Sequence, residues 1–413
     1  MSNLPKCRHC GTPMPRTFVD LGMSAVANSY VPLDKAGADE PKFRLHTRVC
    51  ENCWLVQIDQ DVPADQIFSG DYAYFSSFST SWLEHAKTYA TRMTHELDLG
   101  PDSLVVEIAS NDGYLLQYFV GAGIPVLGIE PSGSVAKAAE EKGVATLVEF
   151  FGEDLAKGLA AKGKEPDLIC SANVLAHVPD INDFVAGVAA LLTGDAIYTV
   201  EFPHLLRLIE DVQFDTIYHE HYSYLSLVSV ERIFADYGLR VFHVEALPTH
   251  GGSLRVFACL DRANHAERGS VSDMRARETD AKLDCAQGYE GFDARVKAVR
   301  AGLLDFLHSA KAAGKSVVAY GAAAKGNTML NYCGIGPDLI KYCVDRNPAK
   351  QDTLLPGSQI RVYDPEVMET DRPDYVLILP WNLRREISAQ LSHLGDKGTL
   401  FVIPVPALEI FSQ

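Results

Sequence analysis

The feature that most constrains the fold is an alternation of short apolar stretches with longer amphipathic ones, which occurs twice along the 413 residues. The first run begins near residue 103, and its apolar stretches are 104–108, 126–129, 168–170 and 196–200. The second run begins near residue 316, and its apolar stretches are 317–320, 340–344 and 375–379. Alternation of this kind predicts two α/β units, each with a parallel sheet flanked by helices.

The two runs share an internal pattern. In the first, a strand leads through a turn of small residues and a helix to a second strand that ends in Glu130. In the second, the same succession ends in Asp345. We interpret the runs as two related doubly wound units, over 79–201 and 202–413. The alternative is that any two strand–helix–strand units share this outline.

Two stretches outside these strands have helical character. Trp82, Ala86 and Tyr89 recur at helical spacing, which predicts a helix over 79–97. The stretch 263–299 is charged and rich in alanine, and it predicts a solvated helix on the surface between the two units.

Charge and hydropathy exclude several classes of function. The chain has 54 acidic and 37 basic side chains, a formal net charge of −17, which makes it a poor general binder of nucleic acid or anionic membranes. No apolar run approaches the roughly 20 residues that span a bilayer, and the first residues lack the apolar core of a secretory signal. We expect a cytoplasmic protein that binds neither nucleic acid nor membranes, and we expect it to be a monomer.

Four of the nine cysteines form two pairs, Cys7 with Cys10 and Cys50 with Cys53. Each pair has the spacing of a tight turn that presents two thiolates to one ion, and two such turns supply the tetrahedral shell that Zn²⁺ prefers. Four protein ligands leave no position for substrate, so the predicted zinc is structural and stabilises a subdomain over 1–78. A redox role is the alternative, because the same spacing occurs in thioredoxin-like sites.

A candidate cofactor loop follows the first predicted strand of the first unit. An acid and three small or polar residues alternate with other residues there, namely Glu107, Ala109, Asn111 and Gly113. This spacing is a degraded form of the acid-x-Gly-x-Gly-x-Gly loop of S-adenosylmethionine (SAM) enzymes, and the lack of a GxGxxG motif weakens an NAD hypothesis. The next strand ends in Glu130, and such an acid accepts hydrogen bonds from ribose hydroxyls, although strand-end acids also serve as helix caps.

Two further segments are expected near this loop. Phe151 can flank an adenine ring, although phenylalanines in such positions are often part of the core. Asn173 and His177 follow the third predicted strand at its carboxyl end, where parallel sheets bind ligands. A lone histidine is more often structural, but this location favours a functional one.

The densest group of ionisable side chains is Tyr218-His219-Glu220-His221-Tyr222. The two histidines are two residues apart rather than four, so they cannot bind one metal from a helix face. In an extended segment, residues 218, 220 and 222 would point to one side and residues 219 and 221 to the other. We interpret the cluster as an acid–base site, because imidazole titrates near neutral pH and a phenol donates to a developing oxyanion. A hydrogen-bonded domain junction is the alternative.

Polar residues that follow the strands of the second unit suit a nucleotide. The start of a helix that carries Lys325 and Asn327 suits a diphosphate. Contacts to base or ribose are expected from Asp345, Asn347, Trp381 and Asn382, with surface caps as the alternative. A Gly-Gly pair allows the backbone to approach a ligand closely, which makes the flanking His250 and Ser253 candidates as well.

Together these motifs resemble the sugar C-methyltransferases of deoxysugar pathways, including the C-3′-methyltransferase of tetronitrose biosynthesis. The most specific stretches are both cysteine pairs, 74–77, 107–114, 173–179, 218–223, 250–255 and 320–328. The resemblance covers nearly the whole chain, and one departure is the alanine run at 322–324, where a proline is expected. The resemblance implies a zinc-binding N-terminal domain, a class I SAM methyltransferase fold and a C-terminal Rossmann-like domain that holds the nucleotide sugar.

The resemblance also implies roles for individual residues. His221 is the implied base, and the reacting centre is lined by Tyr218, Glu220, His177 and Tyr72. The motif 74–77 adds Tyr74 as a substrate contact and Phe75 and Ser76 as cofactor contacts. Asn173 is a further implied cofactor contact, and Tyr222 a further substrate contact.

The expected reaction is SAM-dependent methylation at C-3′ of a dTDP-linked 4-keto-deoxysugar through an enolate. Its expected partners are this nucleotide-diphosphate sugar, SAM and a structural zinc. The leading alternative is an O- or N-methyltransferase that acts on a sugar or small metabolite. Weaker alternatives are an NAD-dependent nucleotide-sugar dehydrogenase or epimerase and a non-catalytic zinc-ribbon scaffold that binds a partner protein.

Overall fold

The structure, a computed structural model, describes residues 4–59, 62 and 75–412. Its strands form sheets of four, seven and six strands and a two-stranded ribbon. The predicted fold class, an N-terminal zinc-binding subdomain followed by two α/β units, is confirmed. Within the described ranges, no helix combines the length and the apolar character needed to cross a membrane.

The N-terminal subdomain contains four strands, β1 (Arg16–Ala25), β2 (Val31–Pro32), β3 (Lys42–Val49) and β4 (Val56–Ile58). Strands β1, β3 and β4 form an antiparallel sheet, and its fourth strand comes from the middle of the chain. The apolar residues Phe18, Val19 and Leu45 of this sheet are buried. The subdomain therefore packs as a layer against the rest of the molecule.

The first α/β unit is the longer one. Its elements are α1 (Thr80–Glu96), β5 (Val105–Ile108), α2 (Leu116–Gly121), β6 (Val126–Ile129), α3 (Gly133–Glu141), β7 (Thr146–Leu147), α4 (Glu153–Ala161), β8 (Leu168–Ala172), α5 (Ile181–Leu191), β9 (Ile197–Pro203), α6 (Leu205–Glu210), β10 (Ser223–Tyr224), α7 (Leu227–Ala235), β11 (Leu239–Leu247) and β12 (Ser253–Leu260). Strand β10 is the one that completes the N-terminal sheet, where it pairs with β4. The remaining strands form the seven-stranded sheet.

The strand order of this sheet is β11-β12-β9-β8-β5-β6-β7. All neighbours from β9 to β7 are parallel, whereas β12 runs antiparallel to both β9 and β11. This is the arrangement of class I SAM methyltransferases. Strands β11 and β12 extend the sheet to Leu260, beyond residue 201, where the first unit was predicted to end. The prediction missed them because they form an antiparallel hairpin, which lacks the alternation of strands and helices on which the prediction was based.

Local sequence explains how the helices of this unit begin. The hydroxyl of Ser79 caps α1 by accepting from the backbone N–H of Trp82, at 3.3 Å. On the same helix Ala86, Tyr89 and Met93 are buried, at the spacing that a helix needs to bury one face. Asp180 caps α5 in the same way, because its carboxylate accepts from two backbone N–H groups of the first turn.

The second α/β unit follows two linking helices. The linking helices are α8 (Gly269–Asp280) and α9 (Phe292–Ala312). The elements of the second unit are β13 (Val317–Tyr320), α10 (Ala324–Cys333), β14 (Cys343–Val344), β15 (Thr353–Leu354), β16 (Val362–Tyr363), α11 (Val367–Asp371), β17 (Tyr375–Ile378), α12 (Arg384–Gln390), α13 (Ser392–Gly395), β18 (Leu400–Ile403) and β19 (Glu409–Phe411). Its sheet has the order β16-β14-β13-β17-β18-β19, and only β19 is antiparallel to its neighbour. Strand β15 pairs with β2.

The prediction of one solvated helix over 263–299 is wrong. This stretch contains α8, the first residues of α9 and a break between them. Glu278 on α8 is fully buried, and its carboxylate lies 2.6 Å from His204 Nε2 and accepts from the backbone N–H groups of Leu227 and Val228 at the start of α7. Composition alone does not distinguish such a buried acid from its solvated neighbours.

Candidate active site

The four paired cysteines form a compact cluster. Their Sγ atoms all lie within 4.8 Å of one another, with separations of 3.5 Å for Cys7–Cys53, 3.4 Å for Cys10–Cys50 and 3.8 Å for Cys10–Cys53. A tetrahedral zinc with bonds of about 2.3 Å requires sulfur separations of about 3.8 Å. The cluster therefore fits a four-coordinate zinc.

The two cysteine turns have the same backbone hydrogen bonds. The N–H of Gly11 donates to the carbonyl of Cys7 at 3.0 Å, and the N–H of Trp54 donates to the carbonyl of Cys50 at 2.9 Å. Gly11 and Trp54 also share a left-handed backbone, with φ of 70° and 61°. The matched geometry supports a shared ion held between two equivalent turns.

The candidate cofactor loop between β5 and α2 has an unusual backbone. The three positions that correspond to glycines in the predicted motif all have positive φ, 55° at Ala109, 49° at Asn111 and 73° at Gly113. A side chain in this conformation costs about 1–2 kcal/mol per residue. The spacing thus marked a real conformational requirement, which the chain meets without glycine at two of the three positions.

Glu130 fixes this loop. One oxygen of its carboxylate accepts from the N–H of Asn111 at 3.0 Å, and the other accepts from the N–H of Ser132 at 2.9 Å. Burial raises the pKa of this carboxyl. Each carboxylate oxygen has a second lone pair, so this arrangement leaves acceptor capacity for hydroxyl groups of a ligand.

Glu107 lies beneath the same loop and is fully buried. Its carboxyl lies beside the phenol of the buried Tyr114. Burial raises its pKa well above the usual range, the contact with Tyr114 opposes this shift, and the nearby Glu130 and Asp112 raise the pKa further. A buried carboxyl with spare acceptor capacity suits a cationic ligand, such as the amino group or sulfonium of SAM.

The segment before α1 covers the loop. The N–H of Ser76 donates to Asn111 Oδ1 at 2.9 Å, and the N–H of Ser77 donates to Asp112 Oδ2 at 3.3 Å. Phe75 stands next to Ser76, and its ring lies 5.5 Å from that of Phe78. The predicted contacts Tyr72 and Tyr74 lie outside the described residues.

Asn173 and Phe151 occupy different surroundings. Asn173 follows β8 with a φ of 58°, and its Nδ2 lies 3.0 Å from His250 Nε2, which connects the end of β8 to the turn that carries His250. The ring of Phe151 packs edge-on against Phe184 at 5.3 Å and is in part a core residue.

The 218–222 segment is not extended, and the predicted alternation of its side chains is wrong. The N–H of His221 donates to the carbonyl of Tyr218 at 2.9 Å, which closes a turn. The turn brings the rings of Tyr218 and His221 to 3.9 Å. His219 lies apart, with Nε2 3.3 Å from the carbonyl of Phe43. A turn therefore places Tyr218 and His221 together, which an extended strand would have separated.

His221 has a defined tautomer. Its Nδ1 lies 2.8 Å from the carbonyl oxygen of Thr216, which can only accept, so Nδ1 carries the proton and Nε2 has the lone pair. The ring of His177 is 4.5 Å away. Burial lowers the pKa of His221 well below its usual range, and His177, Lys325 and His250 lower it further. His221 is therefore neutral at pH 7, with an available base.

Two other members of the cluster contact the N-terminal subdomain. Glu220 is buried and accepts from Asn28 Nδ2 at 2.7 Å, and burial raises its pKa to about 7. The guanidinium of Arg8 lies 5.0 Å from the ring centroid of Tyr222. Part of the cluster thus forms a junction with the N-terminal subdomain, as the alternative interpretation expected.

A second polar group lies beside His221. Lys325 Nζ is 3.1 Å from Asn382 Oδ1, 3.4 Å from the carbonyl of His250 and 4.8 Å from the ring centroid of Trp381. Burial lowers the pKa of Lys325. Burial also lowers the pKa of His250, to about 4, with a further contribution from Lys325. The structure thus brings together four residues from three predicted segments.

Asp215 belongs to this group and was missed in the sequence. It is fully buried, and its Oδ2 accepts from Trp381 Nε1 at 2.7 Å. Burial raises its pKa to about 6, an effect that the charge of Lys325 opposes. Asp215 stands next to Thr216, whose carbonyl binds His221, so one short segment connects both groups.

Asp345 repeats the arrangement of Glu130. Its two oxygens accept from the N–H groups of Ala322 and Asn347, both at 2.8 Å, as those of Glu130 accept from Asn111 and Ser132. In each unit the acid at the end of the second strand binds the loop after the first strand and the residue two positions on. This match supports the hypothesis of two related units.

Two predicted substrate contacts have partners within the chain. Asn327 is buried, and its Nδ2 donates to the carbonyl of Ala27 at 2.6 Å. Ser253 is buried, and its hydroxyl donates to the carbonyl of Thr249 at 3.1 Å. These side chains hold the walls of the site in place.

A buried charge network behind His250 was also missed. Glu201, inside β9 and close to its end, accepts from Arg255 at 2.7 Å and from the hydroxyl of Thr249 at 2.8 Å, and it lies 2.9 Å from His85 Nε2. These contacts hold the pKa of Glu201 at about 2 against the effect of burial. Glu201 is a strand-end acid like Glu107 and Glu130, and that signal could have identified it.

Three family models match the chain. One described as a zinc binding domain matches residues 7–68, one described as a methyltransferase domain matches 82–244, and one described as a C-methyltransferase C-terminal domain matches 248–406. With the seven-stranded sheet and the cofactor loop, they define a SAM-dependent methyltransferase. The predicted cofactors, SAM and a structural zinc, are confirmed.

A relative narrows this class. The C-methyltransferase NovU of Streptomyces niveus is 34% identical over 409 residues, which cover 99% of this chain and 97% of that protein. The chain belongs to this family of C-methyltransferases.

Solved structures are more distant. A magnesium protoporphyrin IX methyltransferase from Synechocystis with bound SAM is 16% identical, covers 43% of this chain and 78% of its own, and has a TM-score of 0.33. A SAM-dependent methyltransferase from Clostridium acetobutylicum is 10% identical, covers 43% of this chain and 92% of its own, and has a TM-score of 0.35. Neither similarity is high enough to support a functional comparison.

Proposed function

We propose that the chain methylates C-3′ of a dTDP-linked 4-keto-deoxysugar and that His221 is the general base. The observation that carries the proposal is the fixed tautomer of His221, whose Nδ1 proton is held by the carbonyl of Thr216. A neutral imidazole with its lone pair on Nε2 can accept a proton from carbon at neutral pH. Transfer of a methyl group to a carbon beside a ketone needs such a base.

The chemistry requires a nucleophilic carbon. A C–H bond beside a ketone becomes nucleophilic when a base removes its proton and the electron pair moves into an enolate whose charge rests on the 4-keto oxygen. SAM supplies an electrophilic methyl group on a sulfonium. His221 Nε2 takes the C-3′ proton, and C-3′ then forms the new bond to the methyl carbon as the enolate returns to the 4-keto group. The bond between that methyl carbon and sulfur breaks, S-adenosylhomocysteine leaves with the electron pair, and the imidazolium later releases the proton to solvent.

The surroundings of His221 suit the stabilisation of that enolate. Tyr218 lies against His221 at 3.9 Å, and His177 lies on another side at 4.5 Å. We assign the Tyr218 hydroxyl as the donor to the 4-keto oxygen, with His177 beside it. One such donor contributes about 3–4 kcal/mol to the transition state, and a general base contributes about 10²–10⁴-fold in rate.

The nucleotide end is assigned to the second unit. The ammonium of Lys325 at the start of α10 and the indole of Trp381 suit a diphosphate and a base, respectively. The acceptor class in this proposal is a nucleotide-diphosphate 4-keto-deoxysugar of deoxysugar biosynthesis. Membership in a C-methyltransferase family favours carbon over oxygen or nitrogen as the methyl acceptor.

The test is hydrogen exchange at C-3′. The protein is incubated in deuterated buffer with dTDP-linked 4-keto sugars, bearing amino or hydroxyl groups at C-3′, and S-adenosylhomocysteine in place of SAM. We expect deuterium at C-3′ with wild-type protein, and at least a 100-fold slower exchange with His221→Asn. The matched control is His219→Gln, because His219 belongs to the same turn but faces Phe43, and it should exchange within twofold of wild type.

A His221→Asn protein that exchanged and methylated at the wild-type rate would remove His221 from the role of base. Methyl transfer with no exchange at C-3′, and with the label on oxygen or nitrogen by mass spectrometry, would establish the alternative O- or N-methylation.

A further inference from the structure

The zinc cluster is connected to the His221 turn through one buried residue, Gln57 on β4. Its side-chain Nε2 donates to Cys7 Sγ at 3.2 Å, and its Oε1 accepts from the backbone N–H of Arg8 at 2.8 Å. Gln57 has no exposed surface. A hydrogen bond to a zinc-bound thiolate orients the ligand and compensates part of its charge, so metal binding and the position of Gln57 depend on each other.

The backbone of the same residue continues toward the active site. Gln57 is paired with Ser223 across the β4–β10 contact, and the N–H of the next residue, Ile58, donates to the carbonyl of Tyr222 at 3.1 Å. Strand β10 has two residues, so this pairing is the main-chain attachment of the segment directly after His221. Only Tyr222 lies between His221 and Ser223 along the chain.

A side-chain contact from the same subdomain holds the other end of the turn. Asn28 Nδ2 donates to Glu220 Oε2 at 2.7 Å. His221 itself is anchored on the opposite side by the carbonyl of Thr216, which belongs to the first α/β unit. The base is therefore held between two bodies, one of which is organised around the cysteine cluster.

We propose that the zinc cluster positions the His221 turn and that Gln57 is the positioning residue that connects them. This inference rests on the role of His221 under the proposed function. The competing view is that zinc only stabilises the N-terminal subdomain. The two views differ in one respect: a change that leaves the subdomain folded but removes the Cys7–Gln57 contact should disturb His221 only if the connection is real.

The test compares two variants of the full-length zinc-loaded protein. Gln57→Leu removes both side-chain hydrogen bonds and fills the buried space of the glutamine side chain with an apolar one. Thr47→Val is the matched control, because Thr47 is fully buried in the same sheet. The substitution removes one hydrogen bond, from the Thr47 hydroxyl to the carbonyl of Val19, and leaves the contacts of Cys7 and of the turn in place. Where the leucine variant fails to fold, Gln57→Glu keeps an acceptor for the N–H of Arg8 and replaces the donor to Cys7 by a carboxylate oxygen.

Three measurements are made on each variant. Zinc transfer to a chromophoric chelator reports metal binding, ¹⁵N-histidine NMR reports the Nδ1–H tautomer of His221 without substrate, and kcat is set beside the Kd for SAM. We expect Gln57→Leu to lose zinc affinity about 10–100-fold, in the range found for residues that contact metal ligands. We also expect a weakened Nδ1–H signal for His221 and a kcat at least tenfold lower, with the Kd for SAM within twofold of wild type and all values of Thr47→Val near wild type.

An unchanged His221 signal in a Gln57 variant with weakened zinc binding would overturn the inference. Equal losses of kcat and SAM affinity would also overturn it, because they would indicate general disruption of the first α/β unit. The NMR signal is recorded without sugar, so it decides this inference even if no 4-keto sugar proves to be a substrate.

Discussion

The clearest prediction on stability concerns His219, which is buried at 1% exposure against β3. Burial lowers its pKa to about 4, although contacts with the carbonyls of Phe43 and Arg44 oppose this shift. The unfolded chain has a histidine pKa near 6.5, so on acidification the unfolded state takes up a proton before the folded state does. The contribution of His219 to the free energy of unfolding is thus fully present above about pH 6.5 and is lost as the pH falls toward 4.

The magnitude follows from these two pKa values. At pH 5.0 the proton taken up by the unfolded state lowers the free energy of unfolding by about 2 kcal/mol. Glutamine keeps a donor for the carbonyl of Phe43 and does not titrate. Between pH 7.5 and 5.0 the His219→Gln protein should therefore lose about 2 kcal/mol less stability than wild type.

The assay is urea unfolding at both pH values, followed by tryptophan fluorescence. Other titrating groups affect both proteins equally, so the difference between the two pH dependences isolates His219. His95→Gln is the control for the replacement of a histidine, because His95 is exposed near the end of α1. Parallel pH dependences for wild type and His219→Gln would refute the reasoning.

Substitutions at three further positions test the site. In Gly251→Ala the new Cβ would lie 2.5 Å from a ring carbon of Trp381, at a φ of 92°, and we expect a loss of about 1–3 kcal/mol in thermal unfolding together with a higher KM for the nucleotide sugar. Asp215→Asn keeps an acceptor for the indole but removes a charge near Lys325, so dTDP should bind about fivefold tighter at pH 7.5 by calorimetry. This gain should vanish at pH 5, where wild-type Asp215, with a pKa of about 6, is already protonated. At Ala109, where φ is 55°, replacement by valine should lower the free energy of unfolding by at least about 1 kcal/mol and weaken SAM binding. Replacement by glycine should preserve both the stability and the SAM affinity.

Buried parallel strands were the most predictable part of the fold. The predicted stretches 126–129 and 317–320 coincide with β6 and β13, because such strands are short apolar runs bounded by turns. The predicted helix over 79–97 matches α1 to within one residue at each end. The cysteine spacing was equally informative, because one ion constrains all four side chains.

Interactions between distant segments were beyond the sequence. The turn at 218–221 depends on Asn28 and β4 on one side and on Thr216 on the other, and none of these contacts leaves a local pattern. Asp215 and Glu278 are isolated acids in ordinary surroundings, and only the fold shows that they are buried. The β11–β12 hairpin was not predicted for a related reason, since an antiparallel pair joins a parallel sheet without a helical crossover.

The contribution of β10 to the N-terminal sheet has a consequence for protein engineering and for synthesis on the ribosome. The sheet cannot acquire its fourth strand until residue 224 has emerged, so the amino-terminal module remains with an open edge while the first half of the α/β core is being translated. A chimera that exchanged only this module between relatives would join a foreign β4 to a native β10. Exchange of residues 218–224 along with it would keep the two partners of that edge together.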